Sequence, residues 1–341
     1  MKKFLNTLYI TTQGAYLHKE GLSIVVEIEK EVRLRVPIHN LQAVVCFGNV
    51  MCSPYLMGHC AENDVSLSFL TAYGRFLGSI RGPVSGNMLL RRAQYRLADQ
   101  PDICLNLSKA MLQTKVLNCR TVLLRGRRDG YGDKVELEKV GQRLRHLVRA
   151  MASVNDLDEL RGLEGESAKT YFTAFNQLLT QQKADFTFTV RSRRPPMDRI
   201  NALLSFLYTL LVHDITGALE SNGLDPCVGF LHTDRPGRKS LALDLMEEFR
   251  PWLSDRLALS MINRKQLQSG DFRQEESGAV FLNDDGRKKV LDSWQKRKQE
   301  EMKHPFIEET IPVGLFPHVQ ALLLARHIRG DLDAYPPLFW K

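Results

Sequence analysis

The hydrophobic pattern of this chain changes period once, and the change falls on one cluster of turn residues, RGPVSGN at positions 81–87. Before the cluster, short runs rich in Val, Ile, Thr and aromatic side chains stand between turn formers: LYITT, LSIVVEI, VRLRVPI and AVVCFG. Such runs form strands, because branched side chains fit a pleated surface. The run SLSFLTAYGRFLGSI alternates around Tyr73-Gly74 and predicts a hairpin, while residues 53–63 predict a short helix. After the cluster, residues 88–98, 103–125 and 135–150 carry apolar side chains at i, i+3 and i+4, the repeat of a helix with one buried face. Strands first and helices afterwards imply an α+β chain. The expected organisation is a small N-terminal β domain over residues 1–85, given to packing and dimerisation, and a larger all-α C-terminal domain over residues 86–341.

A length of 341 residues suits two domains, and 43% hydrophobic with 25% charged residues excludes a disordered or fibrous chain. Lys and Arg number 47 against 39 acids, a net charge of +8 that suggests a polyanionic partner. Cations recur on each expected helix: Arg91, Arg92 and Arg96, then Lys109, Lys115 and Arg120, then Arg143, Arg145 and Arg149. Singly they fit a solvated face; as a set they can follow a phosphate backbone. The six cysteines form no CxxC pair and read as reduced core thiols. In the opening MKKFLNTLYI, and just after it, Asn6, Thr7, Thr11, Thr12 and Gln13 interrupt the apolar run, unlike a signal peptide, and no membrane-length apolar span is expected. These features point to a soluble, cytoplasmic protein without a membrane partner.

The stretch VGFLHTDRPGRKSLALDLMEEF, residues 228–249, concentrates the chemistry. Leu241, Leu245 and Phe249 recur at helical spacing, so Asp244, Glu247 and Glu248 share the other face. Asp244 stands one turn from either glutamate, close enough to hold one divalent ion between them. His232 and the basic turn Arg235-Pro236-Gly237-Arg238-Lys239 precede that helix. Acids with an imidazole point to a metal, and Arg with Lys to a phosphate. The plain alternative is a solvated acidic face beside a packed histidine.

Further signals lie on both sides of it. Gly162 and Gly165 flank Leu163-Glu164 before an apolar-periodic helix, which puts Glu164 at the helix start, as a dipole-stabilising cap or as a ligand. Glu166 is the alternative acid, and spacing alone does not choose between them. Arg191, Arg193 and Arg194 precede Pro195-Pro196 as a candidate phosphate clamp; Asp198 then caps a helix apolar enough to be buried nearly all round. Residues 250–267 continue helical, 268–278 read as a polar surface loop and 280–302 as another helix. The tail HIRGDLDAYPPLFWK is expected to stay mobile or to cross onto another surface.

Taken in order along residues 1–330, several of these segments resemble one known family. They are TKVLNCRTVLLR with Lys115 and Asn118, LEGESAKTYF with Glu164, RPPMDRINALLSFLY at 194–208, GFLH ending at His232, and SLALDLMEEFRP with Asp244 and Glu247. The family is that of the CRISPR-associated spacer-acquisition integrase/endonucleases (Cas-one, Cas1), and the RGDLDAYPP ending resembles its subtype I-C variant. The resemblance implies a homodimer acting on double-stranded DNA, both protospacer and CRISPR repeat. It also implies a small ferredoxin-like partner, Cas-two (Cas2), whose dimer bridges two such homodimers into a heterohexamer.

Carried over by residue, the resemblance makes Glu164, His232 and Glu247 the catalytic metal ligands. Asp244 is then a supporting or alternative ligand, and Glu248 is left solvated. Mn2+ or Mg2+ suits such a set. The implied reaction is attack of a 3′ hydroxyl of the protospacer on a phosphodiester of the repeat; water in its place would give cleavage. Arg235, Arg238 and Lys239, with Arg191, Arg193 and Arg194, are expected to hold phosphates. Tyr171 either stacks on a base near the protospacer end or packs in the core. Two other readings use the same residues: a structure-selective metal-dependent endonuclease of DNA repair, and a non-catalytic DNA-binding scaffold.

Overall fold

The computed structural model describes residues 7–41, 43–63, 65–72, 76–80 and 88–340. Its elements begin with β1 (Thr7–Ile10), β2 (Tyr16–Glu20), β3 (Ser23–Ile28), β4 (Glu31–Pro37), β5 (Ala43–Phe47), β6 (Met51–Cys52), α1 (Pro54–Glu62), β7 (Ser66–Leu70) and β8 (Phe76–Ile80). Helices follow: α2 (Met88–Ala98), α3 (Pro101–Arg128), α4 (Lys134–Ser153), α5 (Leu157–Thr173), α6 (Arg199–Ser221) and α7 (Ser240–Met246). A π-helical segment, Arg250–Asp255, leads into α8 (Arg256–Asn263). A hairpin of β9 (Phe272–Gln274) and β10 (Val280–Leu282) precedes α9 (Asp284–Gln299), and α10 (Phe316–Ile328) leads to the tail. Two compact units result. The first holds residues 1–85 with 287–300 and 312–315; the second holds 86–286, 301–311 and 316–341. The turn cluster at 81–87 and Tyr73-Gly74 lie outside the described residues.

The first unit contains two four-stranded sheets, in the orders β1-β5-β7-β8 and β4-β3-β2-β6. Strand β5 is buried along its length between parallel partners β1 and β7. A strand covered on both faces needs no polar alternation, which is why AVVCF is continuously apolar. Strands β2, β3 and β4 form an antiparallel meander whose second turn holds Glu29 and Lys30 at φ 52° and 66°, the left-handed pair that a tight hairpin requires. Helix α1 starts on Pro54, with Ser53 Oγ accepting from Leu56 N at 3.2 Å. Leu17, Ile24 and Val26 from one sheet, Val44, Cys46 and Leu67 from the other, and Leu56 and Cys60 from α1 share one core. Burial pushes the thiols of Cys46 and Cys60 up to about 12, so they stay protonated. Cys227, by contrast, is exposed and not a core thiol.

In the second unit three long helices start where an aspartate caps them, whereas α3 opens on Pro101 without a side-chain cap. Asp133 accepts from Val135 N at 2.7 Å, Asp156 from Glu159 N at 3.0 Å and Asp198 from Asn201 N at 2.7 Å, opening α4, α5 and α6. Helix α6 is the central element, against which α7, α8 and α10 pack. It is long and apolar enough to cross a membrane by length and composition, against the expectation of no such span. Yet 67% of its apolar window is buried inside the protein, as in a core helix.

Four expectations change. Glu164 stands in the middle of α5, because Asp156 starts that helix two turns earlier than the glycines suggest. Residues 268–278 are not a simple loop: they carry β9, which pairs with β10 through Phe272 and Leu282. The helix expected from residue 280 begins at Asp284, after β10. The tail is packed rather than mobile, with Tyr335, Leu338 and Trp340 at 4%, 1% and 5% exposure.

Leu67, fully buried on β7, is a direct test of the shared core. Leu67→Ala is expected to destabilise the first unit by about 3 kcal/mol, through lost transfer energy and the cavity left behind. Urea unfolding should show a lower midpoint at an unchanged slope; a midpoint like that of the parent would mean that β7 does not anchor this core.

Candidate active site

Helix α3, helix α5 and the turn after α7 converge on one ammonium group. Lys115 of α3 is buried, and its Nζ bonds Glu164 Oε1 of α5 and lies 2.7 Å from Glu247 Oε2. Arg250 Nη1 lies 2.7 Å from the other oxygen of Glu247. Burial alone would push the Glu247 carboxyl up, but Arg250 and Lys115 override it and hold it at about 2. The two glutamates likewise keep the Lys115 ammonium above its ordinary range despite its burial. Glu247 is thus a fixed anion, while Glu164, with 30% of its side chain exposed, opens the cluster to solvent.

His232 reaches this region through a loop wrapped around Asp244. Asp244 Oδ2 accepts from Phe230 N at 2.6 Å and Leu231 N at 3.0 Å, and Oδ1 accepts from His232 N at 3.1 Å and His232 Nδ1 at 2.6 Å. All four lone-pair positions of the carboxylate are then engaged. Asp244 is therefore a positioning residue and not a metal ligand, which corrects the expectation that it could serve as one. It fixes the imidazole so that Nε2 is the nitrogen left to meet a ligand. A Cβ on Gly229 would come within 2.7 Å of Asp244 Oδ2 and 2.8 Å of the Ser240 backbone, so the loop closes around the carboxylate only with glycine there. From α5, Arg161 donates through Nε and Nη2 to Leu231 O at 3.2 and 2.6 Å, tying the histidine loop one turn from Glu164.

Among the described residues no group of three or more His, Cys, Asp and Glu side chains is arranged to enclose a metal ion. Glu164 and Glu247 meet at Lys115 Nζ instead, so a cation already stands between them. Two carboxylates and an imidazole nitrogen are a donor set that suits a divalent ion. The residues fit such an ion, with Lys115 the group that has to yield to it.

Beneath Lys115 and Arg250 a narrow pocket is lined by Tyr208, Asp255, Tyr171 and Arg193. Tyr208 Oη donates to Asp255 Oδ1 at 2.7 Å. Burial pushes the Asp255 carboxyl up to about 6 against the pull of Tyr208, Arg191 and Arg250.

The remaining candidates separate by burial. Tyr171 is 1% exposed and packs against Phe172 and Phe175, so it is a core residue and stacks on no base. Arg191 is turned inward: Nη1 donates to Asn201 Oδ1 at 2.6 Å and Nη2 to Ser205 Oγ at 3.2 Å, which commits its guanidinium to α6 and not to DNA. Arg193, Arg194 and Arg235 are exposed, and Arg238 and Lys239 are half-buried beside α7. Glu166 pairs with Arg143 on α4, away from Lys115, so of the two acids left open by spacing it is Glu164 that reaches Glu247's partner. Glu248 is fully buried rather than solvated. Arg161 and Arg250 carried no signal of their own in the sequence. Their only trace is position, Arg161 one turn before Glu164 and Arg250 three residues after Glu247.

The Asp255 carboxyl gives the pocket a pH signature. Its folded-state value lies above the ordinary 3.8, so its stabilising contribution is complete below that value and is lost as pH rises through about 6. Asp255→Asn keeps an acceptor for Tyr208 and removes this loss. Its stability relative to the parent should therefore climb between pH 4 and 7, by up to about 3 kcal/mol at about 1.4 kcal/mol per unit. Thermal unfolding across that range measures it, and a difference independent of pH would contradict the assignment.

The model of the family described as CRISPR associated protein Cas1 matches residues 8–296. A relative named CRISPR-associated endonuclease Cas1 1, from Chlorobaculum tepidum, is 52% identical over 345 residues, covering 100% of both chains. Among solved structures, a casposase bound to integration product superposes with a TM-score of 0.84 at 21% identity, over 99% of this chain and 95% of that one. A Cas6-RT-Cas1–Cas2 complex superposes with a TM-score of 0.82 at 23% identity, over 98% of this chain and 36% of that one. These two structures share its fold. With a family match across most of its length and a relative more than half identical from end to end, the chain belongs to the CRISPR-associated Cas1 family of endonucleases.

Proposed function

We propose that this chain is the integrase of CRISPR adaptation, joining protospacer DNA to the CRISPR repeat at the cluster of Glu164, His232 and Glu247. The observation that carries this reading is the convergence of two carboxylates from separate elements on one cation, with His232 held beside them by a saturated aspartate. Such a cluster supplies charge stabilisation without a covalent nucleophile, which is what phosphodiester exchange needs. In the reaction a 3′ hydroxyl of the protospacer forms a bond to phosphorus, and the bond from phosphorus to the leaving 3′ oxygen of the repeat strand breaks. The proton lost by the attacking hydroxyl is balanced by one gained at the leaving oxygen. One phosphodiester replaces another, so no nucleoside triphosphate is consumed. Water in place of the hydroxyl gives the endonuclease reaction at the same site.

Glu164, His232 through Nε2, and Glu247 would hold a divalent ion, Mn2+ or Mg2+, which supplies Lewis-acid polarisation of the scissile phosphodiester. The chain's own residues prepare that site. Arg250 and Lys115 keep Glu247 ionised, Asp244 fixes the tautomer and direction of His232, and Arg161 anchors its loop. Exposed Arg193, Arg194 and Arg235, with Arg238 and Lys239, are placed to hold phosphates of double-stranded DNA. The assembly that goes with this reading is a homodimer with the small Cas2 protein as partner, two such dimers bridged into a heterohexamer.

Glu164→Ala, His232→Ala and Glu247→Ala are each expected to lower strand transfer by at least about 100-fold, more than the loss of a group that merely supports a ligand. The losses should not add in double variants, because the three act as a unit. A labelled 3′-hydroxyl donor and a supercoiled repeat plasmid, with Cas2 and Mn2+, read out joining. A calorimetric Mn2+ titration of the protein alone should lose binding in the same variants. Joining at the parental rate in any of the three would remove that residue from the site.

Arg193→Ala should weaken DNA binding and flatten its salt dependence by about 0.9 in the slope of log K against log salt, one phosphate contact for duplex DNA. An unchanged slope assigns Arg193 elsewhere.

A further inference from the structure

Glu248 follows the proposed ligand Glu247 and faces the opposite way, into the protein. Its carboxylate is fully buried, and among the described residues its partners are neutral donors. Oε1 accepts from Tyr335 Oη at 2.7 Å, and Oε2 accepts from Leu338 N at 2.6 Å and Gln320 Nε2 at 3.0 Å. Two of those three donors belong to the tail beyond α10. The Glu248 carbonyl is held as well, by Asn118 Nδ2 at 2.8 Å and Trp252 Nε1 at 3.0 Å. Asn118 also donates to Leu338 O at 3.0 Å and accepts from Trp340 N at 2.9 Å. It lies on α3 one turn from Lys115. The indole of Trp340 stacks on Trp252 at 6.4 Å, with the Arg125 guanidinium 3.9 Å and that of Arg256 4.6 Å from its centre.

The backbone here needs such outside support. Helix α7 stops at Met246, and Glu247 N and Phe249 N bond back only three residues, to Asp244 O and Met246 O, before the π-helical segment begins. At that junction the regular ladder is interrupted, so the turn is fixed by whatever its side chains and carbonyls find. We propose that the C-terminal segment from Tyr335 to Trp340 is a positioning strap, which clamps Glu248 and Asn118 and thereby holds the Glu247 carboxylate in register with Lys115 and Glu164. None of these tail residues touches the reacting groups. Their action passes through one peptide unit to Glu247 and through one turn of α3 to Lys115.

This inference rests on the integrase reading for its kinetic consequence, not for its structural one. Two full-length variants remove one donor each, Tyr335→Phe and Leu338→Pro, the second by deleting the amide hydrogen. Leu338→Ile keeps that amide and serves as the conservative control. A displaced carboxylate is expected to lower kcat for strand transfer by about 10- to 100-fold in Leu338→Pro. KM for DNA should stay within about twofold, since the phosphate contacts lie elsewhere, and Leu338→Ile should match the parent. Hydrogen exchange should quicken at the amides of residues 247–250 while α6 stays protected. Parental kcat in Leu338→Pro overturns the proposal, and so does a loss of kcat and KM together with faster exchange throughout α3 and α6, the mark of general unfolding. If the parent chain joins no DNA, the integrase reading fails, and the exchange at residues 247–250 alone then decides for or against the strap.

Discussion

The second unit is organised by acids that cannot reach water. Asp244, Glu247, Glu248 and Asp255 fall within one short stretch, and none is more than 3% exposed. A carboxylate buried without partners costs several kcal/mol, so each must be met by donors or cations from elsewhere in the chain. Asp244 is met by three backbone amides and an imidazole, which dictates the loop from Gly229 to His232. Glu247 is met by Lys115 and Arg250, Glu248 by the tail and α10, and Asp255 by Tyr208 of α6.

The same demands explain why adjacent acids behave differently. Glu247 and Glu248 are equally buried, yet one sits at about 2 and the other is pushed up to about 7. Desolvation acts on both. Among the described residues Glu247 has cations against it, whereas Glu248 has neutral donors, which offset burial in part. Cationic partners therefore sort the pair into a fixed anion and a carboxyl tied to the tail and α10. Sequence spacing could not have sorted them, since both positions fall one turn from Asp244.

Much of the fold was legible because period and punctuation agreed. The limits of α2 and the capping role of Asp198 follow from apolar spacing and an N-cap residue, both local signals. The misses have equally physical causes. Strand β2, YLHKE, is polar on its visible face and draws its identity from pairing with β3. Strands β9 and β10 are three residues each, too short to show a period. Gly162 and Gly165 suggested a helix start, but a glycine inside a helix is tolerated when a cap such as Asp156 has already fixed the first turn. For the site, residue types were legible and orientation was not. The amphipathic pattern placed three acids on a solvent face, because it assumes one buried stripe. Here tail, α3 and loop cover the other face too.

Lys115 shows what such covering accomplishes. Two carboxylates facing one another without a counter-charge would drive one of them to take up a proton, as like charges at short range always do. An ammonium between Glu164 and Glu247 offsets that repulsion within the chain itself. Under the proposed function, a divalent ion would bring twice the charge of the lysine to the same two carboxylates, with His232 held by Asp244. Lys115 thus supplies, from within the chain, the positive charge that the two carboxylates share.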